Sequence, residues 1–200
     1  TEAAGDPVKA LLLYREAAKS SQENRGDAAQ IAIANLLFSQ RKFQEAVNEY
    51  EAVGTRFPKS RLRSVATLNA GFAHYQNNDF SNALAKFDVA ETNQQQSVTA
   101  GYWKGLSLKA LRDYSGAAKV LINVAEKAGD EAIAESVVYQ LADCQFRSGQ
   151  LAQAEASFLK VTQKWPMGRF ADHSLYFATE CVLESAREAE PAIRTAHLKE

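Results

Sequence analysis

Hydrophobic residues between positions 69 and 87 have the spacing of two short amphipathic helices joined by a tight turn. The first predicted helix is apolar on one face and carries a glycine, Gly71, on that face. Polar residues 77–79 interrupt it, and a second helix opens at Phe80 with Phe87 on the same stripe. Two such helices predict an antiparallel helix hairpin.

The same pattern recurs in four copies along the chain. Each second helix opens on a bulky apolar residue, followed three residues later by alanine and four residues after that by another large apolar residue. The openings lie 37, 34 and 37 residues apart. The openings are Phe43, Phe80, Tyr114 and Leu151, the alanines Ala46, Ala83, Ala117 and Ala154, and the large residues Tyr50, Phe87, Leu121 and Phe158.

Each first helix carries a small residue at a matching position, twelve residues before the alanine of its own second helix. Helices that pack at an axial distance of ~8–10 Å need small side chains where they cross and bulky ones beside the crossing. A lone hairpin cannot bury its apolar face, so each hairpin is expected to stack on the next. The small residues are Ala34, Gly71, Gly105 and Ala142.

These features resemble the tetratricopeptide repeat, whose second helix often ends before a proline, as at Phe57-Pro58 and Trp165-Pro166. The resemblance implies an all-α, right-handed superhelical solenoid of antiparallel helix hairpins. The predicted array has an N-terminal or capping helix at 1–25, repeats at 27–58, 61–95, 97–129 and 131–166, and a partial fifth repeat at 169–200. The third copy departs from the pattern, since it has Leu121 instead of an aromatic ring and no terminal proline.

The pattern also predicts where the terminal helices begin and end. Asp6-Pro7 is a favourable helix start, and Arg25-Gly26-Asp27 is expected to end the first helix and open the next. Near the other end, a helix over about 170–187 continues the repeat. Residues 191–200 are predicted to begin the helix that partners it.

Composition excludes several classes of protein. The formal net charge of -1 and the pI near 6.3 give no nucleic-acid footprint. No apolar run approaches the ~20 residues of a membrane span, so no direct membrane insertion is predicted. Two cysteines are too few for a disulfide framework and lack metal-ligand spacing, so no metal is predicted. No glycine-rich loop that would cradle a phosphate appears, and no cofactor is predicted.

No catalytic motif appears in the sequence, and the chain is predicted not to be an enzyme. His74 is interpreted as a packing histidine, and Asp79 and Asp113 as caps of second helices. Cys144 and Cys181 fall at nearly equivalent places in successive first helices, where they are either two small buried residues or a redox pair. An enzymatic alternative would depend on Cys144 or Asp143 near a groove.

In tetratricopeptide proteins the first helices line a concave groove, and the resemblance implies a partner-binding site there. Replacing Trp103 and Tyr139 by alanine is expected to weaken partner capture without loss of folding, whereas loss of folding would show that they are core. One subtype of the family, the carboxylate clamp, holds the C-termini of chaperones with three basic side chains. Those three positions fall on Ile31, Thr99 and Trp103, none of which is cationic, so this subtype is rejected. The predicted groove residues are Asn69, Phe72, Tyr75, Gln76, Tyr102, Trp103, Lys109, Tyr139, Gln140, Asp143, Arg147 and Tyr176.

The predicted function is a non-catalytic scaffold that binds a peptide or a segment of a partner protein across the second to fourth hairpins. The joints after Phe57 and Trp165 also look like those of bacterial cell-envelope members, the TolA-binding periplasmic proteins and outer-membrane-assembly lipoproteins. That likeness favours the periplasm over the cytoplasm. The alternative is a structural spacer or oligomerisation module of a larger repeat protein, with a homo-oligomer formed through the terminal helices.

Overall fold

The computed structural model describes residues 7–19, 23–129 and 132–197, and within these ranges every regular element is an α-helix. The predicted all-α fold of helix hairpins is therefore confirmed. We call α2, α4, α6, α8 and α10 the first helices, and α3, α5, α7 and α9 the second helices. The helices are α1 (Pro7–Ala18), α2 (Glu23–Ser39), α3 (Phe43–Arg56), α4 (Arg63–Gln76), α5 (Phe80–Glu91), α6 (Ser97–Ala110), α7 (Tyr114–Ala128), α8 (Ala134–Arg147), α9 (Leu151–Lys164) and α10 (Ala171–His197).

The second helices begin at the four predicted residues, and the turn before each has the same backbone geometry. One residue in each turn, two places before the helix, has a positive φ between 59° and 76°. The next residue donates its amide to the carbonyl five residues back, which closes the C-terminus of the first helix. The left-handed residues are Arg41, Asn78, Arg112 and Gly149.

Carboxylates cap two of the second helices, as predicted. The Asp113 side chain accepts a hydrogen bond of 2.8 Å from the amide of Gly116, and the Asp79 side chain accepts one of 3.4 Å from the amide of Asn82. These caps satisfy amides that have no partner within the helix. Hydrogen bonds from Asn82 and the nearby His74 together hold the pKa of Asp79 below its usual value.

The chain packs as two compact units, the first ending at Ser107 and the second beginning at Leu108. In the first unit α1 packs on α2, α2 on α3, α3 on α4 and α4 on α5. In the second unit α7 packs on α8, α8 on α9 and α9 on α10. In each of these pairs, helices that are consecutive in the chain are also neighbours in space.

Small residues of the first helices lie in the interior, where the repeat pattern places them. Ala34 and Ala142 are fully buried, and Gly71 and Gly105 are also buried. In the second unit Ala142 forms a cluster with two α9 residues, Ala154 and Phe158, and two α10 residues, Ala178 and Cys181. Close helix crossings at these positions agree with the predicted role of small side chains.

One of these approaches is between Gly71 in α4 and Phe87 in α5. A β-carbon added to Gly71 would lie only 2.6 Å from the Phe87 ring. The ring itself is fully buried and contacts Phe72 at 5.5 Å between centroids. Glycine at position 71 is therefore what allows the Phe87 ring to lie against the α4 backbone.

Two predictions about the terminal segments are wrong. Residues 25–27 do not separate helices, because α2 already begins at Glu23 and continues through Gly26. The Asp27 carboxylate is buried and accepts a hydrogen bond from the Ser60 hydroxyl. This bond holds the start of α2 against the α3–α4 connection. Residues 191–197 do not begin a partner helix, since α10 continues unbroken to His197.

Some residues named in the predictions about the terminal segments are not among those that the structure describes. Asp6 and residues 198–200 lie outside the described residues, and α1 begins at Pro7.

Among the helices that the structure describes, none combines the length and the apolar character needed to cross a membrane.

Gly71→Ala is expected to lower the free energy of unfolding by about 1–3 kcal/mol, because the new methyl group must displace the buried Phe87 ring. Urea denaturation followed by circular dichroism measures this change. The matched control is Gly54→Ala in α3, where an added β-carbon meets nothing within 4 Å. The control should leave stability unchanged or raise it by up to about 1 kcal/mol. Equal stability of the two variants would contradict the proposed close approach.

Candidate functional site

The predicted groove residues fall on first helices in both units. We call the first set the unit-1 surface and the second set the unit-2 surface, and describe each by itself. The unit-1 surface comprises Asn69, Phe72, Tyr75, Gln76, Tyr102 and Trp103. The unit-2 surface comprises Lys109, Tyr139, Gln140, Asp143, Arg147 and Tyr176.

Trp103 is the centre of the unit-1 surface. Its ring lies 5.0 Å from that of Tyr75 and 5.2 Å from that of Phe72, both in edge-to-face geometry. It also stacks at 6.4 Å on Phe87 and meets Tyr102 at 6.0 Å. Edge-to-face and offset stacked pairs add stabilising energy beyond the apolar area that they bury. The half-buried Trp103 ring is therefore part of the packing as well as of the surface.

The other residues of the unit-1 surface range from half-buried to exposed. The Tyr75 ring contacts Phe80 at 5.2 Å, and burial raises the pKa of its hydroxyl above the usual value. Asn69 is half-buried, whereas Gln76 at the end of α4 is exposed. The sequence did not single out Phe80 and Phe87 as contacts of the site, since they belong to α5, a second helix.

A hydrogen-bonded ionic network organises the unit-2 surface. The Asp143 carboxylate has a side-chain exposure of only 7% and lies between two cations. Lys109 Nζ is 2.6 Å from Asp143 Oδ2, and Arg147 Nε is 2.9 Å from each of its oxygens. Lys109 also donates a hydrogen bond of 2.6 Å to Gln140 Oε1. Four of the predicted residues thus form one connected cluster.

The Arg147 side chain is held in place on more than one side. Its hydrogen bonds to Asp143 raise the pKa of the guanidinium. The guanidinium carbon lies 5.8 Å from the centre of the Tyr114 ring, a residue at the start of α7. Nearly half of the Arg147 side chain nevertheless stays exposed, so the network presents a fixed cation to solvent.

The two tyrosines of the unit-2 surface differ in their surroundings. Tyr139 stacks face to face on Phe170, with centroids 4.2 Å apart and planes 10° from parallel, and contacts Phe158 at 6.0 Å. Burial, with a smaller contribution from the Asp143 carboxylate, raises the pKa of its hydroxyl. Tyr176 is 59% exposed and meets the neighbouring Phe177 ring at 5.3 Å. Phe170, which precedes α10, was not predicted to contact the site.

Their ring contacts make Trp103 and Tyr139 part of the packing as well as of the two surfaces. Truncating a buried tryptophan to alanine costs on the order of 3–5 kcal/mol, and a half-buried one somewhat less. Trp103→Ala would therefore combine a loss of stability with any loss of binding. Tyr176 is better suited to a test of binding, because most of its side chain is exposed.

Apart from the two surfaces, unit 1 has clefts beside its second helices. A cleft of about 320 Å³ is lined by Tyr50, Glu51 and Lys86 among others, and one of about 420 Å³ contains His74. His74 is buried, with Nδ1 3.1 Å from Asp79 Oδ2, in agreement with its interpretation as a packing residue. Lys86 pairs with Glu51 across α3 and α5 at 2.5 Å.

Residues considered for chemistry are enclosed. Cys144 and Cys181 are free thiols with no solvent exposure. Burial raises the pKa of the Cys144 thiol to about 11, so the thiolate that a nucleophile needs is scarce at neutral pH. Within the described residues, no group of three or more His, Cys, Asp or Glu side chains could hold a metal ion.

Comparison with known proteins agrees with this architecture. The family model for the tetratricopeptide repeat matches residues 31–98 and 102–168. The chain belongs to the tetratricopeptide repeat family. Among curated protein sequences, none matches this chain. Proteins of this family bind protein or peptide partners, which is the general function that membership gives.

Solved structures share the fold at low sequence identity. MamA from residue 41 to its end, from Desulfovibrio magneticus RS-1, is 17% identical with a TM-score of 0.67, covering 80% of this chain and 85% of that one. YrrB, described as a tetratricopeptide repeat protein with an unusual peptide-binding site, is 20% identical with a TM-score of 0.66, covering 92% and 86%. A tetratricopeptide repeat protein from Parabacteroides merdae ATCC 43184 is 18% identical with a TM-score of 0.70, covering 95% and 73%.

Asp143→Asn is expected to lower the free energy of unfolding by about 1–3 kcal/mol, since it leaves two partly buried cations without their carboxylate. Urea denaturation at pH 7 measures the loss. The control is Glu126→Gln, which removes the charge of an exposed carboxylate on α7 and should change stability by less than about 0.5 kcal/mol. If both variants lose the same stability, the network contributes nothing specific.

Alkylation by iodoacetamide at pH 8 is expected to label neither cysteine while the protein is folded, since both thiols are buried and that of Cys144 stays protonated. In 8 M urea (roughly the concentration that unfolds an ordinary domain) both should react. Mass spectrometry of tryptic peptides counts the labels. Rapid labelling of Cys144 in the folded protein would reopen the enzymatic alternative.

Proposed function

We propose that the protein is a non-catalytic scaffold that binds a peptide or an extended segment of a partner protein on its first-helix surfaces. Family membership supports the general role, and YrrB gives an example of a peptide-binding site on the same fold. The observation that carries the proposal is the aromatic cluster around Trp103, where rings from α4 and α6 meet and stay partly exposed.

The unit-1 surface has the composition of a recognition site. Tyrosine and tryptophan offer large contact areas at a small cost in side-chain entropy, and their polar atoms fix the register of a bound chain. Because Trp103 is locked between Phe72 and Tyr75, little further ordering is required when a partner binds. Asn69 and Gln76 provide amide groups at the border of these rings, suited to the backbone of an extended peptide.

The unit-2 surface adds polar contacts of fixed geometry. Arg147 is oriented by Asp143 and by the Tyr114 ring, so that its exposed donors point in a defined direction. Tyr176 supplies an exposed ring on the following first helix, α10. We infer that this surface prefers a segment that carries a hydrogen-bond acceptor next to an apolar or aromatic side chain.

Binding without catalysis is part of the proposal. Cys144 is buried with a raised thiol pKa, and Asp143 is engaged by two cations, so neither resembles an activated nucleophile or base. The cell-envelope setting stays a prediction from the sequence resemblance.

Selection from a random peptide library, with the 200-residue chain as bait, tests this function. Peptides that bind should lose at least about tenfold in affinity with Tyr102→Ala or Tyr176→Ala, since truncation of a tyrosine anchor costs about 1.4 kcal/mol or more. Fluorescence anisotropy of a labelled peptide measures affinity, and circular dichroism melting checks that each variant is folded.

Exposed apolar residues away from the two surfaces serve as matched controls. Val89→Ala on α5 controls for Tyr102 in unit 1, and Met167→Ala, in the α9–α10 connection, controls for Tyr176 in unit 2. Both controls should keep the affinity of the wild type. Failure to select any peptide, or peptides whose binding depends on Val89 and not on the tyrosines, would disprove the proposal.

A further inference from the structure

The last first helix, α10, exposes a face that the equivalent helix α8 buries. Residues 37 positions apart are equivalent in these two helices. Val138 in α8 is 4% exposed, whereas its counterpart Leu175 in α10 is 58% exposed. Gln145 is 5% exposed, whereas its counterpart Val182 is 50% exposed. The same face of the helix is therefore covered in one repeat and uncovered in the next.

The second helix α9 covers that face of α8. Gln145 Oε1 accepts a hydrogen bond of 2.7 Å from the Ser157 hydroxyl, and Ala142 packs in one cluster with Ala154 and Phe158. On α10 the corresponding residues include Leu175 and Val182, with Leu183 beside them at 46% exposure. We call these three residues the α10 face. Its exposed apolar side chains stand at positions equivalent to those that α9 covers on α8, which suits another helix packed along α10.

Helix α1 has an exposed apolar face of its own. It packs on α2, with Leu11 and Ala18 against the core of unit 1. On other sides of the same helix, Leu12 is 58% exposed and Leu13 is 62% exposed. We call these two leucines the α1 face. A helix that is apolar on more than its packed side is typical of one buried between two neighbours.

We propose that the protein self-associates head to tail, with the α1 face of one copy packed on the α10 face of a second copy. The contact joins two different surfaces, so it is heterologous and builds either a closed ring or an open chain of copies. The contact does not include the unit-1 surface, and on α10 it borders Tyr176 of the unit-2 surface. Its test is therefore read from sedimentation and not from peptide binding.

Charge supports a second copy as the occupant of the α10 face. Residues 7–19 carry three basic side chains, Lys9, Arg15 and Lys19, against one acidic side chain. Residues 171–189 carry four acidic side chains against one basic side chain, Arg187. Helices of opposite net charge attract each other, whereas two copies of α10 or two copies of α1 would repel. The complementary pair is therefore α1 with α10.

Sedimentation velocity of the 200-residue chain, from about 1 to 200 μM, which brackets ordinary transient affinities, tests the proposal. The wild type should sediment as larger species as concentration rises. Added salt should weaken association, because the Debye length falls from about 10 Å at 0.1 M to about 3 Å at 1 M. Leu12→Glu on α1 and Val182→Glu on α10 should each raise the midpoint concentration at least about tenfold. Val89→Glu on α5 should not change it.

Mixing the two variants identifies the pairing. The Leu12→Glu chain keeps an intact α10 face, and the Val182→Glu chain keeps an intact α1 face. A mixture should therefore form a dimer with one intact contact, although each variant alone stays monomeric at the same concentration. Circular dichroism melting should show every variant folded, since Leu12 and Val182 are exposed in the single copy.

Several results would overturn the proposal. A wild type that stays monomeric at every concentration would show that the α10 face has no second copy as its occupant. Association that survives Leu12→Glu and is lost in Val182→Glu would show contact between two α10 faces. Loss of association in Val89→Glu to the same extent would show that a general surface charge, and not the two faces, controls it. None of these results bears on peptide binding by Tyr102, which lies in α6.

Discussion

Close approach between helices is the constraint on which this structure depends. A first helix can lie near its second helix only where a residue without a large side chain faces a bulky one. Gly71 shows the limit, because even a single β-carbon would come within 2.6 Å of the Phe87 ring. Ala142 has the same role toward Phe158 in the second unit. Small residues at matched positions thus fix the geometry of each hairpin, and the larger side chains fill the space beside them.

The aromatic surface of unit 1 follows from that packing. Phe87, which is held against Gly71, also contacts Phe72 and stacks on Trp103. The rings available to a partner are therefore continuous with the rings of the core. Such continuity makes the surface rigid, which lowers the entropy cost of binding. It also means that stability and recognition are coupled at Trp103, whereas they are separable at Tyr176, which has a largely exposed ring.

The side chains of the unit-2 surface are held in place by an ionic network instead of by stacked rings. Asp143, nearly enclosed, brings Lys109 and Arg147 together, and Gln140 completes the network through Lys109. Removal of one member of such a cluster leaves the others with unsatisfied charge, so the network is specific in geometry even where its net contribution to stability is small.

Uncovered apolar faces on α1 and α10 are a third kind of surface, since their residues contribute little to the core of their own unit.

The sequence by itself determined where the four second helices begin and which small residues lie at the helix crossings. The openings at Phe43, Phe80, Tyr114 and Leu151 and the burial of Gly71 and Ala142 depend on local periodicity and side-chain size, which are written in the chain. Caps at Asp79 and Asp113 are equally local.

Only the tertiary structure decided which predicted groove residues are packed and which are exposed, because that depends on rings and charges contributed by other helices. Phe170, in the connection before α10, stacks on Tyr139 of α8, and Lys109 of α6 pairs with Asp143 of α8. The left-handed conformation of Arg41 and Arg112 is another example, since arginine has no intrinsic preference for it and the repeated turn imposes it. Periodicity places a side chain on one face of a helix, but only the neighbouring helices determine what covers that face.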